Sequence, residues 1–195
     1  MTVDEVMEEV LRDRIFYELS SGGVTLSGGD PVFQHDFSLA ILERSKAEGL
    51  HTAIETSANC SWKVMSKFLP VTDLVMMDIK HLSLTRHLET TGASNEKILD
   101  NALRLAQTGK PLIIRVPVIP TVNDVPEEIE GIALFVRAFP NLQHLELLPF
   151  HRLGEGKYRA LGLDYRASHL KTPTKEKMNQ LAARASECGV EVRVG

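Results

Sequence analysis

The side chains able to do chemistry in this sequence recur at intervals, each group just behind a short β-prone run. Ser27-Gly28-Gly29-Asp30-Pro31 follows Val24-Thr25-Leu26, and Glu55-Thr56-Ser57 closes the run 51–56. Asp78-Ile79-Lys80-His81 closes the run 73–79. Arg115-Val116-Pro117 belongs to a run at 112–118 that leads on to Pro120 and Asn123-Asp124, and Pro149-Phe150-His151 follows the run 142–148. Two glycines without Cβ atoms let the backbone approach a ligand closely. A carboxylate beside them, Asp30, can accept charge-assisted hydrogen bonds from an ammonium group. Lys80 or Arg115 can hold a carboxylate, so a zwitterionic amino-acid moiety is the simplest ligand that uses both ends. Glu55 and Asp78 add negative charge that favours a bound cation.

Each group also has an ordinary structural reading. Adjacent glycines behind a strand commonly make a tight turn. Asp78 and Lys80 suit a satisfied ion pair, and Arg115 suits a brace across a sheet to a carboxylate. Glu55 reads as a solvated strand end and His151 as a loop histidine. The coincidence of all five groups at one edge favours a binding mouth, because structural charges have no reason to choose that edge. No phosphate loop is present: neither GxxxxGK[ST] nor GxGxxG occurs.

The elements that must hold these groups alternate between strand and helix. Residues 2–18 read as a helix, with Thr2 and Glu5 as a capping box and Val3, Val6, Met7, Val10 and Leu11 as its apolar stripe. Further helices are expected at 35–48, 61–69, 95–108, 125–138 and 174–187, stopped by Gly49, Pro70, Gly109 and Gly189. Strands are expected at 24–26, 51–56, 73–79, 112–118, 142–148 and 190–194. The run 73–79 is so continuously apolar that it reads as covered on both faces. Residues 151–173, polar and glycine-rich, read as a long loop of the kind that carries function. Repeated βα units imply an α/β fold with a parallel sheet and right-handed crossovers, either doubly wound or a partial barrel of the TIM type. In both, function sits at the carboxyl ends of the strands.

Composition sets the outer limits. The 195 residues fit a single domain, with 43% hydrophobic and 25% charged residues. A net charge of −4 with no basic stripe gives no sign of a nucleic-acid partner. No run approaches the roughly 18 apolar residues of a membrane span. The acidic, helix-like start does not resemble a signal peptide, so the cytoplasm is the expected compartment. Cys60 and Cys188, the two cysteines, have no CxxC spacing and make neither a cluster site nor a zinc site.

The quoted motifs resemble those of a known family. Val24-Thr25-Leu26-Ser27-Gly28-Gly29-Asp30-Pro31 is similar to the GG-acid-P strand of radical S-adenosylmethionine (SAM) enzymes, in the wording of the glycyl-radical-enzyme activating enzymes. The likeness continues through 51–56, 72–80, 115–120 and 146–151, and into Leu153-Gly154, Lys157-Tyr158, Leu161-Gly162 and Tyr165. It implies a partial TIM-type barrel over 1–195 whose Gly28, Gly29 and Asp30 hold the SAM amino group. Thr56 joins the cofactor-binding set, and Asp78, Ile79 and Lys80 line the carboxylate side. Arg115 and Pro117 contact SAM, and His151 lies by the adenosine. Glu55, Met77 and Asp78 match positions around a monovalent cation. The resemblance further implies a [4Fe–4S] cluster, a reductant such as flavodoxin, and a glycyl radical enzyme such as pyruvate formate-lyase as partner. In that reaction a 5′-deoxyadenosyl radical takes a hydrogen from a glycine of the partner.

The sequence departs from the pattern in places. The family's CxxxCxxC is absent, and the chain starts where its first strand would already have passed. A fragment cut ahead of Thr2 is the favoured explanation, with a cluster-less SAM-binding or partner-docking module as the alternative. Either way this chain alone is expected not to cleave SAM, and the strand at 24–27 is expected to be an open edge. Asp30 stands where Glu is commoner and Thr121 where Gly is usual. A barrel lyase using Lys80 as an imine-forming amine is a third reading, opposed by the nearby Asp78.

Overall fold

Strand order follows chain order. In the computed structural model, which describes residues 1–195, six parallel strands pair in the sequence β1 to β6: Gly23–Leu26, His51–Thr56, Leu74–Asp78, Leu112–Val118, Leu142–Pro149 and Val192–Val194. Right-handed crossovers that always step to the next strand on the same side must all lie on one face of the sheet. A doubly wound sheet needs a reversal of order, and none occurs, so the sheet is a partial barrel. Its covering helices are α3 (His35–Ala47), α4 (Trp62–Phe68), α6 (Glu96–Ala106), α7 (Pro126–Val136) and α9 (Lys175–Ser186).

Burial follows from this one-sided cover. Along β4, Leu112, Ile114, Val116 and Val118 are buried under helices, while Ile113, Arg115 and Pro117 alternate onto the more open, concave face. The strand β3 alternates in the same way, with Val75 and Met77 buried and Met76 and Asp78 on the concave side. The expectation that this run is covered on both faces is therefore corrected. Its apolar continuity reflects Met76 lining the barrel interior, not a second helical layer. A single cluster of 28 buried apolar residues runs from Val32 to Val190 beneath the helices.

The amino-terminal capping box forms as its residues dictate: Thr2 N donates to Glu5 Oε2 at 2.7 Å and Glu5 N to Thr2 Oγ1 at 3.2 Å. The single helix expected over 2–18 is broken at Asp13 into α1 (Val3–Arg12) and α2 (Arg14–Ser20). Only the first has packing to hold it: Met7 is buried against α3, whereas Ile15, Phe16 and Leu19 of α2 are exposed. Two short helices lay outside the sequence reading, α5 (Leu84–Thr91) and α8 (Glu155–Ala160). The second occupies part of the expected loop at 151–173, where glycines weaken the helical signal. The outer edge of β1 has no strand partner within the chain, as expected.

Candidate functional site

Buried amides fix the loops behind the strands before any functional group is considered. Asn101 donates to the carbonyls of Ala58 and Cys60, and Asn95 to those of His81 and Leu82. Asn123 is fully buried and joins two strand ends, donating to Lys80 O at 3.0 Å and Pro117 O at 2.9 Å while accepting from Ile119 N. Loop carbonyls left without such partners would each be costly once buried.

On this frame a cleft of about 490 Å³ opens behind β1, β2 and β3, within the usual range for ligand sites. Its lining includes Gly28, Gly29, Asp30, Glu55, Thr56, Asp78 and Lys80, so seven of the residues expected from sequence share one cavity. Ser27, Phe33 and Ser57 also line it. Gly28 has φ +110°, a conformation that L side chains rarely adopt. A Cβ on Gly29 would meet nothing within 4 Å, which places open space directly over the backbone.

The acidic groups are more committed than the sequence suggested. Asp30 turns into the protein: it accepts from Thr56 Oγ1 at 2.6 Å, Ser57 Oγ at 2.7 Å, Ser57 N at 2.9 Å and Val32 N at 3.3 Å. It ties the glycine loop to the end of β2, and its capacity to take a ligand ammonium is largely used. Thr56, buried beside it, also accepts from Ala58 N. The ligand-facing groups of that loop are therefore its backbone atoms.

Arg115 is likewise engaged, as a brace. Its Nη1 donates to Glu55 Oε1 at 2.6 Å, and its Nε lies 2.7 Å from Glu146 Oε2. The second contact is a close ion pair whose N–H is not aimed at the oxygen, so the Nε proton lacks a hydrogen-bond acceptor. Strand register causes the brace, because Asp78, Arg115 and Glu146 are direct neighbours on β3, β4 and β5. Burial opposes ionisation of Glu55, but hydrogen bonds from Ser27 and Arg115 and the guanidinium charge outweigh it and hold the carboxyl below its usual range. Burial likewise lowers the Arg115 pKa, and the charges of Glu55, Glu146 and Asp78 raise it further than burial depresses it. Glu146, although it opens the matched run 146–151, was not singled out as a site residue from sequence, because its role comes from the register of β4 with β5.

Lys80 Nζ lies 3.0 Å from Asp78 Oδ2, both side chains about 30% exposed, so an amine attacking a carbonyl would first have to leave this pair. Ile79 is fully buried and offers only its backbone. Met77 is buried on the helical face, whereas Met76, in register with Glu55, stands beside Asp78 on the concave face. The expected trio Glu55, Met77 and Asp78 is thus split by strand alternation as far as side chains go. Pro117 lies on the concave face but outside the cleft lining. His151 is an exposed cap whose Nδ1 accepts from Leu153 N at 3.3 Å, and it does not line the cleft.

The residues suit SAM at its amino-acid end: open glycine backbone, an Asp78–Lys80 pair and a polar cleft. They do not suit an iron–sulfur cluster. Cys60 follows β2 at the mouth while Cys188 precedes β6 at the opposite end of the sheet, and no three His, Cys, Asp or Glu gather closely enough to hold a metal. Burial and the charge of Asp30 push the Cys60 thiol up, away from the thiolate a ligand needs.

The model of the radical SAM superfamily matches residues 1–136. The (2S)-3-sulfopropanediol dehydratase activating enzyme of Klebsiella oxytoca is 40% identical over 200 residues, covering 100% of this chain and 63% of its own length. The pyruvate formate-lyase-activating enzyme of Staphylococcus epidermidis is 34% identical over 186 residues, 92% of this chain and 74% of that protein. A crystal structure of a domain of pyruvate-formate lyase-activating enzyme from Bacteroides vulgatus superposes with a TM-score of 0.74 at 27% identity, over 89% of this chain and 99% of that one. The chain therefore belongs to the radical SAM superfamily and, within it, to the glycyl-radical-enzyme activating enzymes. It spans 63% of the Klebsiella relative and 52% of an isethionate sulfite-lyase activating enzyme. No helix is long and apolar enough to cross a membrane.

Proposed function

We propose that this chain is the SAM-holding part of an activating enzyme that installs a glycyl radical on a partner enzyme. The observation that carries the reading is the cleft behind β1 to β3, where Gly28 and Gly29 present bare backbone opposite Asp78 and Lys80. In this reading the backbone of Gly28 and Gly29 takes the amino group and Lys80 the carboxylate. Asp30 and Thr56 keep the glycine loop in place. Ile79 contributes backbone, Arg115 and Pro117 shape the concave wall, and His151 lies toward the adenosine side. A monovalent cation would sit by Glu55, Asp78 and main-chain oxygen of the Met76-Met77 pair. Bound there and cleaved by one electron from the reduced cluster, SAM would give methionine and a 5′-deoxyadenosyl radical, and that radical would take a hydrogen atom from a glycine of the partner to become 5′-deoxyadenosine. The [4Fe–4S] cluster would be held by cysteines outside these 195 residues, and a flavodoxin-like protein would reduce it. The partner is a glycyl radical enzyme, with (2S)-3-sulfopropanediol dehydratase and pyruvate formate-lyase as the panel to try, and the compartment is the cytoplasm.

Equilibrium dialysis with labelled SAM tests the reading. Wild-type chain should bind saturably, with S-adenosylhomocysteine competing. Gly29→Val should weaken binding at least about tenfold, or about 1.4 kcal/mol. Its melting temperature should stay the same, since the added Cβ meets open space. Wild type without saturable binding, or a valine variant that binds as well, would remove the proposal. A second reading, a docking module without chemistry, draws support from the lack of cluster-capable thiols.

A further inference from the structure

Residues 150–173 form a folded rim at the mouth, with an unusual distribution of polarity. Tyr158 and Tyr165 pack edge to face at 5.1 Å, Leu163 N donates to Tyr158 O at 2.9 Å, and Arg152 Nη1 donates to Ser168 O at 2.9 Å. These contacts fix the rim's shape with the tyrosines turned toward each other. Leu153, Leu161 and Leu163 are left outside, at 80%, 72% and 57% exposure. A segment shaped for its own stability would bury leucine first. Apolar side chains gathered in the open at a site's edge mark an interaction surface.

Charge separates this rim from the remainder of the chain. It carries five Lys or Arg against two Asp or Glu, whereas the whole chain has 22 against 26. Glu155 pairs with Arg159 at 3.4 Å, but Lys157, Arg166 and Lys171 have no carboxylate within ion-pair reach. The rim also adjoins the site: Arg166 and Leu170 share a cavity of about 370 Å³ with Lys80, His81 and Asn123. Tyr158 and Tyr165 share a neighbouring cavity with Phe150 and Thr91. A macromolecule brought to the mouth from this side meets the rim first.

We propose that the rim 150–173 docks the partner protein, through a partner surface in which Asp and Glu surround an apolar patch. This rests on the activating-enzyme reading, which makes that partner the glycyl radical enzyme. The pre-folded rim lowers the cost of ordering on binding, and the unpaired cations contribute steering and register. A basic, apolar surface also suits an anionic membrane, but the carboxylates of Glu155 and Asp164 and the six-residue length of α8 do not.

The full chain tests this with a photo-cross-linking residue at one of two places, Leu161→benzoylphenylalanine on the rim or Leu103→benzoylphenylalanine on α6. Leu103 is 51% exposed on the outer helical layer. Each is offered (2S)-3-sulfopropanediol dehydratase and pyruvate formate-lyase in turn, and vesicles rich in phosphatidylserine in parallel. The rim position should cross-link to one of the enzymes and the α6 position to neither. High salt should lower the yield about threefold or more, and Lys157→Glu with Lys171→Glu should weaken binding about tenfold at unchanged melting temperature. Equal cross-linking from both positions, binding indifferent to the double variant, capture by vesicles in place of the enzymes, or no binding to either enzyme would each overturn the proposal. Failure of the underlying reading is scored separately, by loss of saturable SAM binding.

Discussion

Replacing Arg115 by methionine separates a brace from a ligand contact. Methionine keeps most of the aliphatic stem and removes the guanidinium, so Glu55 and Glu146 lose the cation between them. Breaking a fully buried pair costs about 3–5 kcal/mol, whereas an exposed pair contributes about 0–1. Arg115 is 18% exposed and its partners 35% and 22%, so the site falls between these limits. Discounted for that exposure, the expected loss is about 2–3 kcal/mol at pH 7, a fall in melting temperature of about 4–12 °C for a domain of this size. The pH dependence has a definite sign. The folded Glu55 carboxyl lies below its usual range, so its stabilisation is complete above the unfolded value of about 4.3 and is lost as pH falls through the folded one. In the variant that stabilisation is missing at every pH. Thermal melts of both proteins should therefore differ widely at pH 7, begin to converge only below about pH 4.3, and approach each other as pH falls through the lower folded value. A loss under about 1 kcal/mol at pH 7, or a difference that does not shrink between pH 7 and about pH 2, would show that the Glu55–Arg115–Glu146 arrangement does not stabilise the fold.

Three further outcomes are expected. Asn123→Ala should cost about 2–3 kcal/mol in chemical denaturation, because Lys80 O, Pro117 O and Ile119 N lose their buried partner. Thr121 has φ +66°, so Thr121→Gly should stabilise the chain by about 0.5–1 kcal/mol in the same measurement, and a destabilised variant would show that the loop carries no strain there. Reconstitution of this chain with iron and sulfide under anoxic conditions should give no [4Fe–4S] absorption or electron-paramagnetic-resonance signal, and the appearance of either would show that its thiols had been misjudged.

Much was legible from sequence for local reasons. The capping box at Thr2 and Glu5, the alternation of β and α, and the clustering of reactive groups at the carboxyl ends of strands depend on neighbours within a few residues or on one topological rule. Gly28, Gly29, Asp30, Glu55, Asp78 and Lys80 could be grouped on those grounds, and they share one cleft. The helices α5 and α8 were not legible. One is a short capped piece of eight residues, and the other lies among glycines.

Tertiary structure decided what the charged groups are free to do. Asp30 looked available to a ligand until the end of β2 brought Thr56 and Ser57 to its oxygens, a contact spanning 26 residues or more. Arg115 became a brace because parallel register sets Glu146 beside it and the closing curve of the sheet brings Glu55 within reach from two strands away. Strand alternation, fixed by one-sided helical cover, put Met76 on the open face and Met77 in the core. Residue types along the chain determined which chemistry was present at the mouth. Pairing between distant strands determined which donors and acceptors were already satisfied, since a hydrogen bond made within the fold is no longer offered to a ligand.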